Sequence, residues 1–207
     1  MIYHFLRIAF RKIWQNRGLS LLKIGGLGIS IAASILLVRY VNYHWEFDRF
    51  HTHSDEIYRL NHYQTTDQQE EQRSAMTVAG SAVTFKDQFP EVLNYVRLAR
   101  WIANDVVFQH EEKAIRDKDF FFVDPSFFEM FSFEWVAGDP VQGLSAPNTL
   151  LLSEAHAKAL FGRENPIGQE VVFEGRRNFT VAGVFRQPPA QSHLQFGLLS
   201  SIATVQQ

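Results

Sequence analysis

The residues that come closest to a nucleotide-binding motif form the loop 162–169, with the sequence GRENPIGQ. A phosphate-binding loop has four residues between its glycines, followed by Lys and then Ser or Thr. Here five residues separate Gly162 from Gly168, and Gln169 stands in place of the lysine. Pro166 also removes a backbone N–H that would otherwise donate to phosphate. The spacing therefore predicts a turn, and we expect no cofactor.

A possible nucleophile and base lie one helical turn apart at Ser153 and His156. A nucleophile elbow would place the serine between flanking glycines on a sharp strand-to-helix turn, and those glycines are absent from the sequence. Ser153 is instead well placed to cap the helix that follows it. We assign no catalytic residue and predict that the chain is not an enzyme.

Four possible metal ligands lie close together in the sequence at Asp48, His51, His53 and Asp55. Their spacing fits no compact zinc motif. Polar residues that follow a membrane span are usually solvated, and this is the interpretation that we favour for all four. We therefore predict no metal site.

An apolar stretch over 19–41 precedes all of these candidate residues and has the sequence LSLLKIGGLGISIAASILLVRYV. About 20 mostly apolar residues span the bilayer hydrocarbon as a helix, and Lys23 and Arg39 lie close enough to its ends to reach the headgroups. A signal peptide has a shorter apolar core, of about 7–15 residues. A buried helix of a soluble protein is the other alternative, but no second segment is apolar enough to surround it. We predict one transmembrane helix over 19–43.

Charge is distributed unevenly on the two sides of this stretch. Residues 1–43 contain six basic and no acidic residues, whereas residues 44–207 contain 14 basic and 22 acidic residues. By the positive-inside rule, the amino terminus is cytoplasmic and residues 44–207 lie across the membrane. The acidic balance of the larger part argues against nucleic acid as a partner. Because the chain has no cysteine, an exported domain must be stabilised by its core alone.

Residues 2–17 have the pattern of a basic amphipathic helix, and we assign residues 1–18 to the cytoplasmic side. Such a helix lies in the interface of the lipid bilayer, although it could also serve only as a topology signal. The predicted membrane-interface residues are Arg7, Arg11, Lys12 and Trp14 and, at the other end of the span, Trp45.

Small residues recur every fourth position of the predicted span, at Gly26, Ser30 and Ser34. Small residues at this spacing let two membrane helices approach closely. Glycine is common in membrane helices in any case, so the alternative is that the spacing has no role. We predict a helix-packing face, which would require a partner helix.

The remainder, 44–207, has the pattern of an α+β domain. Strands are predicted over 57–63, 95–102, 106–110, 120–123, 150–152, 171–174 and 178–185, and helices over 77–89, 125–131 and 154–161. Residues 120–135 hold eight aromatic residues. Their acidic neighbours are unfavourable for stacking on nucleic acid bases, so we predict a domain core, with a partner-docking patch as the alternative.

Several segments, in their order and spacing, resemble the amino-terminal part of MacB/FtsX-like permeases of ABC transporters, including the MacB-like periplasmic core domain. The basic amphipathic start and the glycine-rich span are followed by Phe47-Asp48-Arg49-Phe50-His51, Ile57-Tyr58-Arg59, Phe127-Phe128-Glu129-Met130-Phe131, Gly138-Asp139-Pro140, Asn165-Pro166-Ile167-Gly168 and Ser192-His193.

The resemblance implies an α+β periplasmic domain inserted between the first two spanning helices of an inner-membrane permease. A separate cytoplasmic ABC ATPase would power it by mechanical transmission, within a dimeric assembly that includes other permease helices. Family substrates include peptides, antibiotics and lipoproteins. The permease subunit has no catalytic residue to carry over. Family members continue into further spanning helices, so we expect this chain to be a fragment, a truncated product or a split subunit, incomplete at its carboxyl end. The alternative function is a single-span module that binds or senses an envelope ligand.

Overall fold

The computed structural model of the chain describes residues 2–65, 71–101 and 105–205. Contacts divide the chain into two compact units, Met1–Phe47 and Asp48–Gln207. The first unit holds two helices and the second holds a sheet with helices on it. An apolar amino-terminal helix followed by a mixed domain of strands and helices confirms the predicted fold class.

The first unit consists of α1 (Ile2–Gln15) and α2 (Arg17–Trp45). Helix α2 has 29 residues, none of them buried, and most of its side chains between Leu19 and Val41 are apolar. A helix of this length extends about 43 Å, whereas the hydrocarbon of a bilayer is about 30 Å thick. Helix α2 is therefore long and apolar enough to cross a membrane, and it contains the predicted span.

The second unit is built around a mixed sheet, which has nine strands among the described residues. Eight of them lie side by side in the order β3, β6, β11, β8, β10, β9, β4, β5, and the ninth, β7, pairs with β10. A separate hairpin joins β1 to β2. The strands are β1 (His62–Thr65), β2 (Glu71–Ser74), β3 (Leu98–Arg100), β4 (Val106–His110), β5 (Lys113–Asp117), β6 (Phe120–Val123), β7 (Trp135–Gly138), β8 (Thr149–Ser153), β9 (Glu170–Phe173), β10 (Arg177–Phe185) and β11 (Leu198–Ser201). The pairs β8–β10 and β6–β11 are parallel and the others antiparallel.

Successive residues of the central strands pack on opposite faces of the sheet, as the alternation of side chains along a strand requires. Leu150 and Leu152 belong to one buried cluster, which contains Leu160 and Phe161 of a helix, whereas Leu151 belongs to the other. The helices of the unit are α3 (Ser81–Gln88), α4 (Phe127–Met130), α5 (Pro140–Ser145) and α6 (Glu154–Phe161), with short 3₁₀ turns over Ser54–Glu56 and Ile202–Val205. The central strands are thus buried on both faces.

Helix α6 has the predicted bounds and the predicted cap. The Ser153 side chain accepts from the N–H of His156, and Gly162 ends the helix with φ at +67°. The loop after it is a turn, as predicted, because the Asn165 side chain accepts from the N–H of Ile167 and the N–H of Gln169 donates to the Pro166 carbonyl. The aromatic run is core, as predicted: Phe120, Phe122, Phe127, Phe131 and Phe133 are all buried.

Several predicted boundaries are wrong. The strand predicted over 57–63 begins only at His62, and the helix predicted over 77–89 begins at Ser81. The strand predicted over 95–102 covers Leu98–Arg100, and its predicted end at Ile102 lies outside the described residues, as does Asn104 of the turn predicted after it. Strands β2, β5 and β7 and helix α5 are additions to the predicted elements, whereas β11 lies in the extended or helical segment that the sequence predicts from His193 onward.

Candidate functional site

The segment that follows helix α2 is tied to a distant part of the second unit through Asp48. The N–H of Asp48 donates to the Gln191 carbonyl at 3.0 Å. The Asp48 carboxylate accepts from the Ser192 hydroxyl at 3.1 Å, from the His193 N–H at 3.0 Å and from His193 Nδ1 at 2.6 Å. Asp48 has φ at +56°, a left-handed conformation that aspartate tolerates better than most residues. One side chain thereby holds together two segments that are far apart in the sequence.

A second set of hydrogen bonds joins the same segment to the stretch before β7. The Ser132 N–H donates to His51 Nδ1 at 3.1 Å, and the Thr52 N–H donates to Ser132 Oγ at 2.9 Å. The Ser132 hydroxyl in turn donates to Thr52 Oγ1 at 2.9 Å. Because Nδ1 accepts a hydrogen bond, His51 is the neutral tautomer with its proton on Nε2. We call the six residues Asp48, His51, Thr52, Ser132, Ser192 and His193 the clamp.

Burial has a different net effect on the pKa of each of the two titratable groups of the clamp in the 48–52 segment, Asp48 and His51. Burial alone would raise the pKa of the Asp48 carboxyl, but the hydrogen bonds from His193 and Ser192 outweigh it and lower that pKa below its ordinary value. Burial lowers the pKa of His51, and the charge of Asp48 opposes this only in part. The clamp therefore favours an ionised aspartate and a neutral histidine.

His51 is enclosed by aromatic rings. It is 4% exposed, and its ring centroid lies 4.0 Å from that of Phe50, 5.2 Å from Phe131 and 5.1 Å from Phe133. Its Nε2 has no hydrogen-bond partner among the described residues. A buried N–H without an oxygen to bond carries a desolvation cost. The contacts that hold the His51 ring are therefore its aromatic neighbours and the hydrogen bond from Ser132 to Nδ1.

These contacts correct the prediction that residues 48–55 are solvated. It is wrong for Asp48 and His51, which are bound to distant segments of the second unit as described above. His53 is exposed and pairs with Glu56 at 3.3 Å, and Asp55 is also exposed. In the part of the chain that the structure describes, no group of three or more His, Cys, Asp or Glu residues lies in an arrangement that could hold a metal ion.

A second Ser-His-Asp set lies at the junction of β5, α6 and β11. Ser153 Oγ is 2.8 Å from His156 Nδ1, and His156 Nε2 is 3.4 Å from the Asp117 carboxylate. His156 Nδ1 also lies 3.2 Å from the Gly197 carbonyl. A carbonyl only accepts, so this contact places a proton on Nδ1, and a protonated Nδ1 cannot take the serine proton.

This second set is closed to a substrate. Ser153 is 0% exposed, and its hydroxyl also faces the backbone N–H of His156, as a helix cap does. A Cβ at Gly197 would collide with the Asp117 carboxylate and with the His156 ring. We call Asp117, Ser153, His156 and Gly197 the lock. Sequence reasoning identifies its serine and histidine, but Asp117 and Gly197 carry no local signal that would join them to the pair.

The predicted packing residues of α2 satisfy their hydroxyl groups within the helix. Ser30 Oγ donates to the Gly26 carbonyl at 2.9 Å, and Ser34 Oγ donates to the Ser30 carbonyl at 2.8 Å. A Cβ at Gly26 would meet nothing within 4 Å. These residues thus form an open strip of small side chains with no unmet hydroxyl donor. Their role in packing stays a prediction.

The predicted interface residues are all exposed. Arg7, Arg11 and Lys12 lie on α1, and Trp14 and Trp45 are each 69% exposed. The Arg17 guanidinium lies 4.7 Å from the centre of the Trp14 ring, which is a cation–π distance. Their contact with lipid stays a prediction.

The family model of the MacB-like periplasmic core domain matches residues 20–207. Among solved structures, a domain described as part of a putative permease protein from Porphyromonas gingivalis is similar to 69% of this chain, at 25% identity and a TM-score of 0.57, and the chain covers 60% of its length. The periplasmic region of MacB from Actinobacillus actinomycetemcomitans is 22% identical over 60% of this chain and 54% of its own, with a TM-score of 0.46. The extracellular domain of the noncanonic ABC-type transporter YknZ from Gram-positive bacteria is 17% identical over 54% of this chain and 55% of its own, with a TM-score of 0.42. A comparison with curated proteins finds no match.

Proposed function

Because the chain belongs to the MacB-like periplasmic core domain family, we propose that it forms the amino-terminal part of the permease subunit of an ABC transporter. In this proposal residues 1–18 lie on the cytoplasmic side, residues 19–43 cross the inner membrane, and residues 44–207 form the periplasmic core domain. The chain itself is not an enzyme. The energy comes from a cytoplasmic ABC ATPase on another chain, and the transported molecule is an envelope substrate that is exported or extracted.

The observation that carries the proposal is the clamp. Helix α2 ends at Trp45, and the clamp begins at Asp48. A displacement of the carboxyl end of the helix therefore reaches the second unit through very few residues of free chain. Hydrogen bonds that involve ionised groups are the stronger ones in proteins, and Asp48 accepts three hydrogen bonds. A short, multiply bonded connection is what mechanical transmission requires.

The clamp is also connected to the middle of the sheet. Ser192 and His193 lie in the loop that leads into β11, and β11 pairs with both β6 and β8. At the start of β11, the Gly197 carbonyl accepts from the N–H of Ser153 at 2.9 Å. A pull on Asp48 is thus passed to a buried central strand rather than to an exposed edge.

The remaining predicted residues have roles in the membrane in this proposal. The basic side chains of α1 with Trp14, and Trp45 at the other end of α2, hold the helices at the two interfaces of the bilayer. The strip Gly26, Ser30 and Ser34 receives another permease helix, in a dimeric assembly. The packing role of the strip requires a second membrane helix.

Crosslinking in native membranes tests the proposal. A photoreactive residue at Ser30 in the full chain should crosslink to another membrane helix, and an ABC ATPase should copurify with the chain. The same residue at Leu36 serves as the control on the lipid face and should give much less protein crosslinking. Isolation of the chain without any ATPase would favour the alternative, a single-span module that senses an envelope ligand. Specific ATP binding by the purified chain would contradict both.

A further inference from the structure

We propose that the half of the clamp formed by His51, Thr52 and Ser132 opens on mild acidification, and that His51 is the group whose protonation opens it. The inference concerns the clamp itself and goes beyond the transport function proposed above. Only the effect of opening on mechanical transmission from helix α2 to the second unit depends on that function.

The geometry of His51 makes its neutral form a requirement of the closed clamp. The Ser132 N–H donates to Nδ1 at 3.1 Å, and a protonated Nδ1 would be a second donor facing that N–H. Protonation therefore removes this hydrogen bond and leaves two donors in conflict. Ser132 is also the partner of Thr52, through the Thr52 N–H and the Thr52 hydroxyl. Displacing Ser132 from His51 thus loosens all three hydrogen bonds of this half of the clamp.

The surroundings of His51 cannot accommodate a buried positive charge. The ring is 4% exposed, lies among Phe50, Phe131 and Phe133, and already has an Nε2 without a partner among the described residues. In an imidazolium there, Nε2 would have no hydrogen-bond partner among the described residues, and the protonated Nδ1 would face the Ser132 N–H. Burying a charge without partners is costly, so the protonated ring is stable only when the segment moves away and admits water.

The charged groups near His51 do not compensate for this cost. On its own segment Asp48 is the group whose charge favours protonation, but the Asp48 carboxylate is held by Ser192 and His193. The other charged or titratable residues of the segment, Arg49, His53 and Asp55, are exposed. Two acidic residues flank Phe131 and Phe133, and both have other contacts: Glu129 accepts from Asn94, and Glu134 pairs with Arg186.

The sign of the pH dependence follows from the lowered pKa of His51. Above the ordinary histidine pKa of 6.5, the ring is neutral whether the clamp is closed or open, and closure has its full stability. Below 6.5, the solvated ring of the open form takes up a proton before the buried ring does, so opening becomes more favourable as the pH falls. The opening equilibrium rises up to about tenfold for each pH unit until the pKa of the closed form is reached.

The aspartate half of the clamp responds in a separate range of pH. The pKa of Asp48 is below its ordinary value of 3.8, so its contribution is present above 3.8 and is lost only as the pH falls further. Mild acid therefore acts on the His51 half while the Asp48 half stays closed. If the domain is periplasmic, as proposed, this half of the clamp would respond to the acidity outside the cytoplasm.

Hydrogen–deuterium exchange on the full chain in detergent tests the inference, at about pH 7.5 and about pH 5.5, on either side of the histidine range. The test variant is His51→Asn, because the asparagine oxygen can accept from the Ser132 N–H and does not titrate. Comparing variants at the same pH cancels the intrinsic pH dependence of exchange. We expect residues 51–53 to exchange alike in both proteins at the higher pH. At the lower pH they should exchange about tenfold faster in the wild type.

The matched control is His53→Asn, which removes an exposed histidine from the same segment and should behave as the wild type does at both pH values. A wild type and a His51→Asn variant that exchange alike at the lower pH overturn the inference, as does a His53→Asn variant that abolishes the acid effect. Should His51→Asn fail to fold, the carbon-13 resonance of His51 in the labelled wild type decides. A resonance that titrates together with the exchange of residues 51–53 supports the inference, and one that does not titrate overturns it.

Discussion

The clamp and the lock contain the same three residue types, Asp, Ser and His, in two different settings. In the clamp, the paired side chains of Asp48 and His193 are 35% and 73% exposed. In the lock, those of Asp117 and His156 are 11% and 21% exposed, and Ser153 is fully buried. The Asp–His pair can therefore be separated by water more easily in the clamp than in the lock, whereas Ser192 and His51 of the clamp are buried.

The difference separates two structural roles. The lock joins β5, α6 and the start of β11, which are elements of one core, and it has no room for rearrangement around Gly197. The clamp joins the segment after helix α2 to a loop, and its Asp48–His193 pair is partly exposed. The Asp–His pair is thus largely closed to water in the lock, where it is mostly buried, and open to water in the clamp, where it is partly exposed. In the lock, the serine is closed to a substrate and serves as a helix cap.

The largest effect is expected from Gly197→Ala, which tests the tightness of the lock. The new Cβ would collide with the Asp117 carboxylate and the His156 ring, and overpacking of this kind costs about 3 kcal/mol at the upper end of its usual range. Chemical denaturation of the full chain in detergent measures the loss. Gly80→Ala is the control, because a Cβ at Gly80 meets nothing within 4 Å. Equal stability of the two variants would contradict the close packing of the lock.

The second-largest loss of stability is expected from Asp48→Ala, which removes the carboxylate acceptor of the clamp. Three hydrogen bonds to the carboxylate are lost. We expect the free energy of unfolding to fall by about 1.5 kcal/mol, since the carboxylate is partly exposed. Denaturation of the full chain in detergent measures the loss, and Asp55→Ala, an exposed change in the same segment, should cost much less.

The loss from Asp48→Ala should also depend on pH. The pKa of Asp48 is lowered by its hydrogen bonds, so the advantage of the wild type is full above the ordinary value of 3.8 and shrinks as the pH falls through the pKa of the folded state. An advantage that disappears between neutral pH and about pH 5, well above the ordinary range of aspartate, would contradict the assignment of this range to Asp48.

The comparison also shows what a sequence can predict and where it fails. The bounds of helix α6 are predictable because its cap, Ser153, and its terminating Gly162 are local signals. The β5 strand escapes prediction because Lys113–Asp117 has a single buried side chain, Ile115, and so lacks an apolar alternation. Helix α5 does have a local signal, since Asp139 caps it and Pro140 occupies its first turn, but so short a helix has no apolar period to support that signal.

The clamp can be predicted from the sequence only as a set of separate motifs. Phe47-Asp48-Arg49-Phe50-His51 and Ser192-His193 both belong to the family resemblance, but nothing in either motif says that they meet. Their contact depends on the path of the whole chain between them. Ser132 has no signal at all, because its role comes from its backbone N–H and its position beside His51. Periodic patterns in the sequence do not predict which residues form long-range contacts.

Ser30 and Ser34 form a third polar set, whose hydrogen bonds stay within one helix. Ser30 and Ser34 donate to carbonyls of α2 itself, so Ser30→Leu should leave folding and membrane insertion intact. If the strip packs on a second helix, the leucine should weaken helix association by about 1 kcal/mol, because the backbones can no longer approach closely. Association in detergent is the measurement, and Leu36→Phe is the control on the lipid face. Equal effects of the two changes would remove the packing face from the proposal.

The smallest expected effect is the coupling between Asp48 and His193, and it tests whether exposure alone distinguishes the clamp from the lock. A double-mutant cycle with Asp48→Asn and His193→Ala should give a coupling energy of about 0.5 kcal/mol, as is usual for exposed pairs. The corresponding cycle with Asp117→Asn and His156→Ala should give a larger value, because the low exposure of that pair reduces screening by water. Both cycles are measured by denaturation at neutral pH. A clamp coupling equal to or above that of the lock would mean that exposure does not set the strength of these contacts. The clamp would then be a rigid joint rather than a connection that opens.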